Sequence, residues 1–221
     1  MIDKSAVKIT IQKSQHCQRN WDLTRSIPQE DIDLLVEAVT QCPSKQNAAF
    51  YRCHFITNRT VIEQVYNNTS GFDFPPSMSI ENNSQTLANM LVVFEQLTLA
   101  DILTANSDRP YLNTYFEEFR HPAGLVSDTA KKRMLIDIHM SIGIASGYLN
   151  LLAHQLGYST GYCGCFDIAG LQTVLNIQGQ PMIILGVGYK DINRNRRIHH
   201  TKPDLKYPAK PKVTIPVLHI S

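Results

Sequence analysis

Residues 131–165, KKRMLIDIHMSIGIASGYLNLLAHQLGYSTGYCGC, constrain this chain more than any other stretch. After Lys131, Lys132 and Arg133, charge almost vanishes. Between Leu135 and Leu156 the only acid is Asp137, with His139 and His154 as titratable company. An apolar run of this length is too long for a strand and predicts a helix buried on most of its faces. Gly143 and Gly147 each cost about 1 kcal/mol against alanine inside a helix. With Ala145 and Ser146 they make a small-residue stripe on which another helix can pack closely. Gly157 stands where a helix C-cap is expected. Residues 158–165 then read as a short polar, glycine-containing turn, an exposed loop that can offer backbone N–H groups to a flat cofactor. A plain core helix followed by a surface turn fits the same pattern, so this stretch alone leaves both readings open.

The rest of the composition narrows the class. With 221 residues, of which 43% are hydrophobic, the chain is long enough for one domain with a substantial core and is not generally disordered. A net charge of +2 is too small to argue for nucleic acid. Residues 1–13 mix Asp, Lys and Gln with isolated apolar residues, unlike a secretory signal. Asn150, His139, His154 and the glycines argue against placing the long apolar run in a bilayer. The cytoplasm is the expected compartment. The five cysteines, Cys17, Cys42, Cys53, Cys163 and Cys165, are an odd number and do not form a secreted disulfide framework. Cys163-Gly-Cys165 is too tightly spaced for a usual zinc knuckle, so free thiols are expected.

Along the chain, residues 7–12 (VKITIQ) alternate and suggest a short strand, with a helix entry as the alternative. A polar turn around the only tryptophan follows, SQHCQRNWD, in which Arg19 can pair with a phosphate or merely face solvent. Ile27-Pro28-Gln29-Glu30-Asp31 starts a helix, and Pro43 ends it near Cys42. Residues 43–47 (PSKQN) are a polar loop of donors. A strand is predicted over 50–57, a short helix over 61–66 and a loop over 67–85. Met90 to Phe94 read as a central buried strand. The aromatics Tyr111, Tyr115, Phe116 and Phe119 are either a cover over a pocket or a helix packed on the core. A short helix over 168–175 and a buried strand over 181–189 come next. Then follow Arg194, Arg196 and Arg197. Prolines 208, 211 and 216 make residues 203–221 an extended arm, expected to cross to a partner subunit. No internal repeat and no second domain are evident, so residues 1–221 are read as one domain.

In this order and spacing, PSKQN at 43–47, AHQLGYSTGYCGCF at 153–166 and the strand at 181–189 resemble the nitroreductase family of FMN-dependent oxidoreductases. The resemblance runs from about Gln15 to Arg197. It implies an α+β fold, with a mixed, largely antiparallel sheet flanked by helices, in an intertwined homodimer. Two FMN molecules would lie at the dimer interface, each touched by both subunits. The family's first phosphate-binding turn falls on Gln15, His16, Cys17 and Arg19, of which only Arg19 keeps a permanent charge. Arg194, Arg196 and Arg197 look like its second basic group. Ser44 and Asn47 resemble residues that reach the flavin from the other subunit, with Lys45 between them. Asn82 or Gln85 would face the pyrimidine side. Tyr162, Cys163, Gly164 and Cys165 match the turn beside the flavin's N5, with Gly164 where the family often has an acid.

The activity this implies is hydride transfer from NAD(P)H to a nitroaromatic, quinone or similar organic acceptor, with no catalytic side chain demanded. Two alternatives stay open. One is another flavin chemistry of the same superfamily, namely dehalogenation, dehydrogenation or flavin cleavage. The other is a non-catalytic flavin-binding dimer, which the missing arginines at Gln15 and Cys17 favour.

Overall fold

The computed structural model describes residues 3–71, 82–109, 112, 116 and 127–220. Among them, six α-helices and four strands form an α+β fold. Their order is α1 Lys4–Ser14, α2 Gln29–Thr40, β1 Tyr51–Ile56, α3 Arg59–Asn67, β2 Met90–Gln96, α4 Leu99–Ala105, α5 Asp128–Gln155, β3 Ser159–Cys163, α6 Ile168–Leu175 and β4 Gln180–Gly188. Short 3₁₀ turns occupy Lys45–Asn47 and Ser84–Leu87.

The sheet runs β1-β2-β4-β3, and neighbouring strands pair antiparallel throughout. The parallel element is a single bridge between Cys17 and Thr160. Strand β2 is central and apolar on both faces, as its sequence predicts. Met90, Val92 and Phe94 join Leu185 and Val187 in one core, under α2 and the inner face of α5. Leu91 and Val93 join Ile184 and Cys163 in a second core, with Trp21, Ile62 and Val65 of α3, and Leu171 of α6. Each such fully buried side chain contributes about 1.5–3 kcal/mol. The side chains of Asp3, Asn58, Thr98, Ser127 and Asp167 cap α1, α3, α4, α5 and α6 by accepting from first-turn N–H groups.

Four expectations are corrected. Residues 7–12 are helical, not extended. Asp3 caps α1, and the alternating Val7, Ile9 and Ile11 lie exposed rather than in a core. The supposed polar turn at 158–165 is mostly strand β3, hydrogen-bonded along β4 from Ser159↔Gly188 to Cys163↔Ile184. Despite its polar composition, Thr160, Gly161 and Cys163 are buried. Helix α5 is buried on one side only. Met134, Ile138, Ile142, Ala145, Leu149 and Ala153 face the core, while Ile136, Met140, Ile144, Tyr148 and Leu151 form an exposed apolar stripe. The small residues therefore split. Ala145 and Ser146 point inward, whereas added Cβ atoms at Gly143 and Gly147 would meet open space. By length and composition, α5 does reach what a membrane span requires, but its packing against α1, α2 and the sheet makes it a core helix.

The segment 84–88 lies directly on bare backbone of the sheet. A Cβ at Gly161 would meet the Gln18 carbonyl at 2.8 Å and the Gln85 side chain at 3.0 Å, and one at Gly186 would overlap the Gln85 carbonyl. Residues 208–220 form neither helix nor strand and are exposed.

Candidate functional site

The turn after α1 and the loop after β4 meet at one end of the sheet. Gln18 N–H donates to the Thr160 carbonyl at 2.7 Å, which ties the turn to β3. The buried Asn20 amide donates to the carbonyls of Asn195 at 2.7 Å and Ile198 at 3.1 Å. Trp21 N–H donates to His200 Nδ1 at 3.1 Å, and its indole N–H to the Ser84 carbonyl at 2.9 Å. These bonds fix the polar turn around the tryptophan against the arginine loop.

Four residues assigned to a phosphate from sequence come together here. Arg196 Nη1 donates to the Cys17 carbonyl at 3.4 Å. Arg197 Nη1 donates to the Tyr207 carbonyl at 3.1 Å. The Arg19 guanidinium lies 4.1 Å from the centre of the Tyr207 ring, and its Nε is buried without a hydrogen-bond partner. Among the described residues, no carboxylate pairs with Arg19, Arg196 or Arg197. Burial, followed by the nearby Arg19 and Arg197 charges, pushes the Arg196 pKa below its usual value. Arg194 is engaged elsewhere, pairing with Asp191 at 3.3 Å and donating to the His200 carbonyl at 3.0 Å. His16 is exposed beside Arg196, and its pKa is lowered by burial and by that arginine. The Gln15 side chain turns back to the Gln12 carbonyl at 2.9 Å.

Next to this cluster is a groove of about 340 Å³ lined by Lys13, His16, His154, Lys190, Arg194 and Arg196, with Asp191, already paired to Arg194, as the acid in its wall. An unpaired cluster of three arginines beside a basic groove suits a phosphate, because a bound anion supplies the missing counter-charge and an acceptor for the orphaned N–H. The residues present therefore fit the phosphate tail of FMN.

The other sequence-assigned residues divide between supporting and separate positions. Tyr162 hydroxyl donates to the Ser146 carbonyl of α5 at 2.7 Å, and burial raises its pKa. Cys163 is buried, its thiol pushed up to about 11 by burial, and accepts from Asn83 Nδ2 at 3.4 Å. Gly164 and Cys165 are exposed, and the Cys165 carbonyl accepts from Ser70 N–H at 2.8 Å. All five cysteines are free thiols. Gln85 packs over Gly161, while the Asn82 amide donates to the carbonyls of Thr69 at 2.9 Å and Asn67 at 3.4 Å.

Ser44, Lys45 and Asn47 lie apart from the arginines. Ser44 hydroxyl donates to the Ala48 carbonyl at 2.8 Å, Asn47 is left-handed at φ 53°, and Arg109 donates to the Asn47 carbonyl. Ser44 and Asn47 line a groove of about 740 Å³ with Tyr51, Cys53, Phe55 and Arg109, and this groove shares no lining residue with the basic one. Of the aromatic group, Phe116 is fully buried edge-to-face on Phe50 at 6.4 Å. Tyr111, Tyr115 and Phe119 lie outside the described residues.

Sequence reasoning gave no part to Ser84 or Tyr207. Asn20 carried a signal as one more polar side chain in the tryptophan turn, and His154 as a titratable residue of the long helix. Tyr207 sits in a segment read only as an arm.

Comparison with known proteins defines the class. The model of the nitroreductase family matches residues 13–189, so the chain belongs to that family. Solved structures share the fold at low identity. A protein from Staphylococcus epidermidis described as an NAD(P)H:FMN oxidoreductase superposes with a TM-score of 0.65 at 16% identity, covering 98% of this chain and 94% of that one. A protein from Exiguobacterium sibiricum described as a nitroreductase, solved in complex with FMN, gives 0.63 at 16% identity, with the same coverage of 98% and 94%. A nitroreductase family protein from Streptococcus pneumoniae gives 0.62 at 14% identity, covering 95% and 96%. No curated protein matches the sequence.

Proposed function

We propose that this chain is an FMN-dependent oxidoreductase that passes hydride from NAD(P)H to a nitroaromatic, quinone or similar organic acceptor. The observation that carries the reading is the carboxylate-free cluster of Arg19, Arg196 and Arg197, held against β3 by Asn20 and Cys17. It lies in a chain of the nitroreductase family, whose fold is shared by a protein solved with FMN.

In this reading Arg19, Arg196 and Arg197 hold the phosphate tail, with His16 at the rim. The 162–165 segment, at the end of β3, would face the ring system, and backbone N–H groups there would polarise its N5 side. Bound there, FMN supplies reversible hydride storage, which no side chain of this chain provides. The arginines would anchor the group by its phosphate and so fix where the ring can lie.

Residues 1–221 act as a single domain within a homodimer. The exposed stripe of Ile136, Met140, Ile144, Tyr148 and Leu151 on α5 supports this, because a patch of that kind calls for a partner surface. Ser44, Lys45 and Asn47 would then serve the flavin of the second copy, consistent with their separation from this copy's arginines. The arm alternates Val213, Ile215 and Val217, all largely exposed, as a strand awaiting a sheet edge would. Five free thiols favour the reducing cytoplasm as the working compartment.

The test is direct. The purified protein is expected to be yellow, to release FMN on denaturation, and to oxidise NAD(P)H when given a nitroaromatic or quinone. A colourless protein that ignores added FMN overturns the flavin reading. Bound FMN without turnover on either acceptor class leaves a flavin-binding dimer or another chemistry of the superfamily.

A further inference from the structure

We infer that Tyr207 is the positioning residue of the anion clamp, holding two of its three arginines at once. The inference rests on the flavin-phosphate reading above and assigns a role to a residue beyond the segment that matches the family, which ends at 189.

Tyr207 is buried at 3% exposure, although the chain from 208 onward is exposed. Its ring carries the Arg19 guanidinium at 4.1 Å on one face. The ring also lies near-parallel to the buried His199 ring, centroids 6.3 Å apart with an interplanar angle of 16°. His199 is itself locked in place. Its Nδ1 accepts from the N–H groups of Thr201 at 3.3 Å and Lys202 at 3.2 Å, so Nε2 carries the proton and points to the Asn82 carbonyl at 3.4 Å. The Tyr207 backbone also bonds Arg197 twice, once to its backbone and once to its side chain. Its N–H donates to the Arg197 carbonyl at 2.8 Å, and its own carbonyl accepts from Arg197 Nη1 at 3.1 Å.

A guanidinium parked on an aromatic face keeps its N–H edge free for a ligand, because the ring satisfies the charge without consuming donors. A carboxylate in the same place would hold Arg19 as firmly but would compete with the phosphate. Tyr207 therefore orients the cation through its ring and leaves the Nε edge available. The cost is one buried N–H, at Arg19 Nε, left without an acceptor until an anion arrives.

The experiment compares Tyr207→Leu with Tyr207→Phe in the full-length protein, after circular dichroism has established that both fold. Dissociation constants are measured for FMN and for riboflavin, which lacks the phosphate. Tyr207→Leu is expected to weaken FMN about tenfold and riboflavin less than twofold, and Tyr207→Phe to restore FMN to within about threefold. In an Arg19→Gln background, Tyr207→Leu should add little, since the two act through one contact. Equal weakening of both flavins, or unchanged FMN affinity in Tyr207→Leu, overturns the inference. Inorganic phosphate, titrated without flavin, separates the two readings. Phosphate binding that Tyr207→Leu weakens in a protein that ignores FMN keeps the clamp and removes the flavin. Phosphate binding indifferent to residue 207 removes the clamp.

Discussion

The side-chain amide of Asn20 donates a 2.7 Å hydrogen bond to the carbonyl of Asn195, joining two segments far apart in sequence inside the buried base of the arginine cluster. The same nitrogen reaches the Ile198 carbonyl at 3.1 Å. Asn20→Ala leaves both carbonyls short of a donor in a site with no exposure, a loss of about 1–3 kcal/mol. Urea unfolding should show a lower midpoint with unchanged slope, and flavin titration a weaker FMN affinity. An unchanged midpoint would mean that the loop holds its position without this bond.

Arg196 and Arg194 should behave differently although both look equally basic in sequence. Arg196 has no acidic partner among the described residues and bonds only to the Cys17 carbonyl, whereas Arg194 is spent on Asp191 and His200. Arg196→Gln is expected to weaken FMN by about tenfold or more and to flatten the salt dependence of binding. Arg194→Gln should change FMN affinity less than about threefold. Isothermal titration at two salt concentrations checks both, and the reverse ranking would reassign the phosphate contact.

His154 makes the fold sensitive to acid. Its Nε2 donates to Thr160 Oγ1 at 3.1 Å, and that hydroxyl donates to Asn150 Oδ1 at 2.6 Å. Burial, then the neighbouring Lys13 and His16 charges, lower its pKa to about 4 from 6.5. The unfolded chain therefore binds the proton more readily. The stabilisation is present above about pH 6.5 and is lost as pH falls toward about 4. His16, His199 and His200 are shifted in the same direction. A loss on the order of 2 kcal/mol is expected from His154, less than the whole shift because the groove admits solvent. Stability measured at several pH values should fall less steeply across this window in His154→Gln.

The exposed stripe of α5 predicts the association state. Ile144→Glu puts a charge in the middle of an apolar face and, if that face is covered by a second copy, should convert dimer to monomer and release FMN together. Sedimentation with flavin absorbance reads both at once. A wild-type protein that sediments as a monomer would remove the dimeric half of the proposal.

Much of this architecture was legible where periodicity and burial agree. The inner and outer faces of β2 follow from its continuous apolar run, and α6 begins and ends at the residues predicted. Residues 7–12 misled because alternation at Val7, Ile9 and Ile11 satisfies the strand period, while the deciding contribution is the Asp3 cap a few residues earlier. Strand β3 was hidden because pairing with β4 is decided by partners about twenty-five residues away, and a polar edge strand has no local period. The apolar run of α5 announced a buried helix, but apolarity does not distinguish a face covered by this chain from one left open. In the site, charge alone marked Arg194, Arg196 and Arg197 alike, and the signal that sets Arg194 apart, Asp191 three residues before it, was not used. Tyr207 was invisible, because a ring that supports a cation looks like any other tyrosine until the chain is folded.

The bare backbone at Gly161 and Gly186 gives the sequence a lopsided tolerance. A serine at either position would pass as a mild change on any scale of residue similarity. Yet at 186 the added carbon would overlap the Gln85 carbonyl, and at 161 it would press on the Gln18 carbonyl, dislodging the shelf beneath the arginine turn. Natural variants at these two places would therefore be silent in composition and loud in phenotype, inactivating the protein from a distance without altering any residue that meets a ligand.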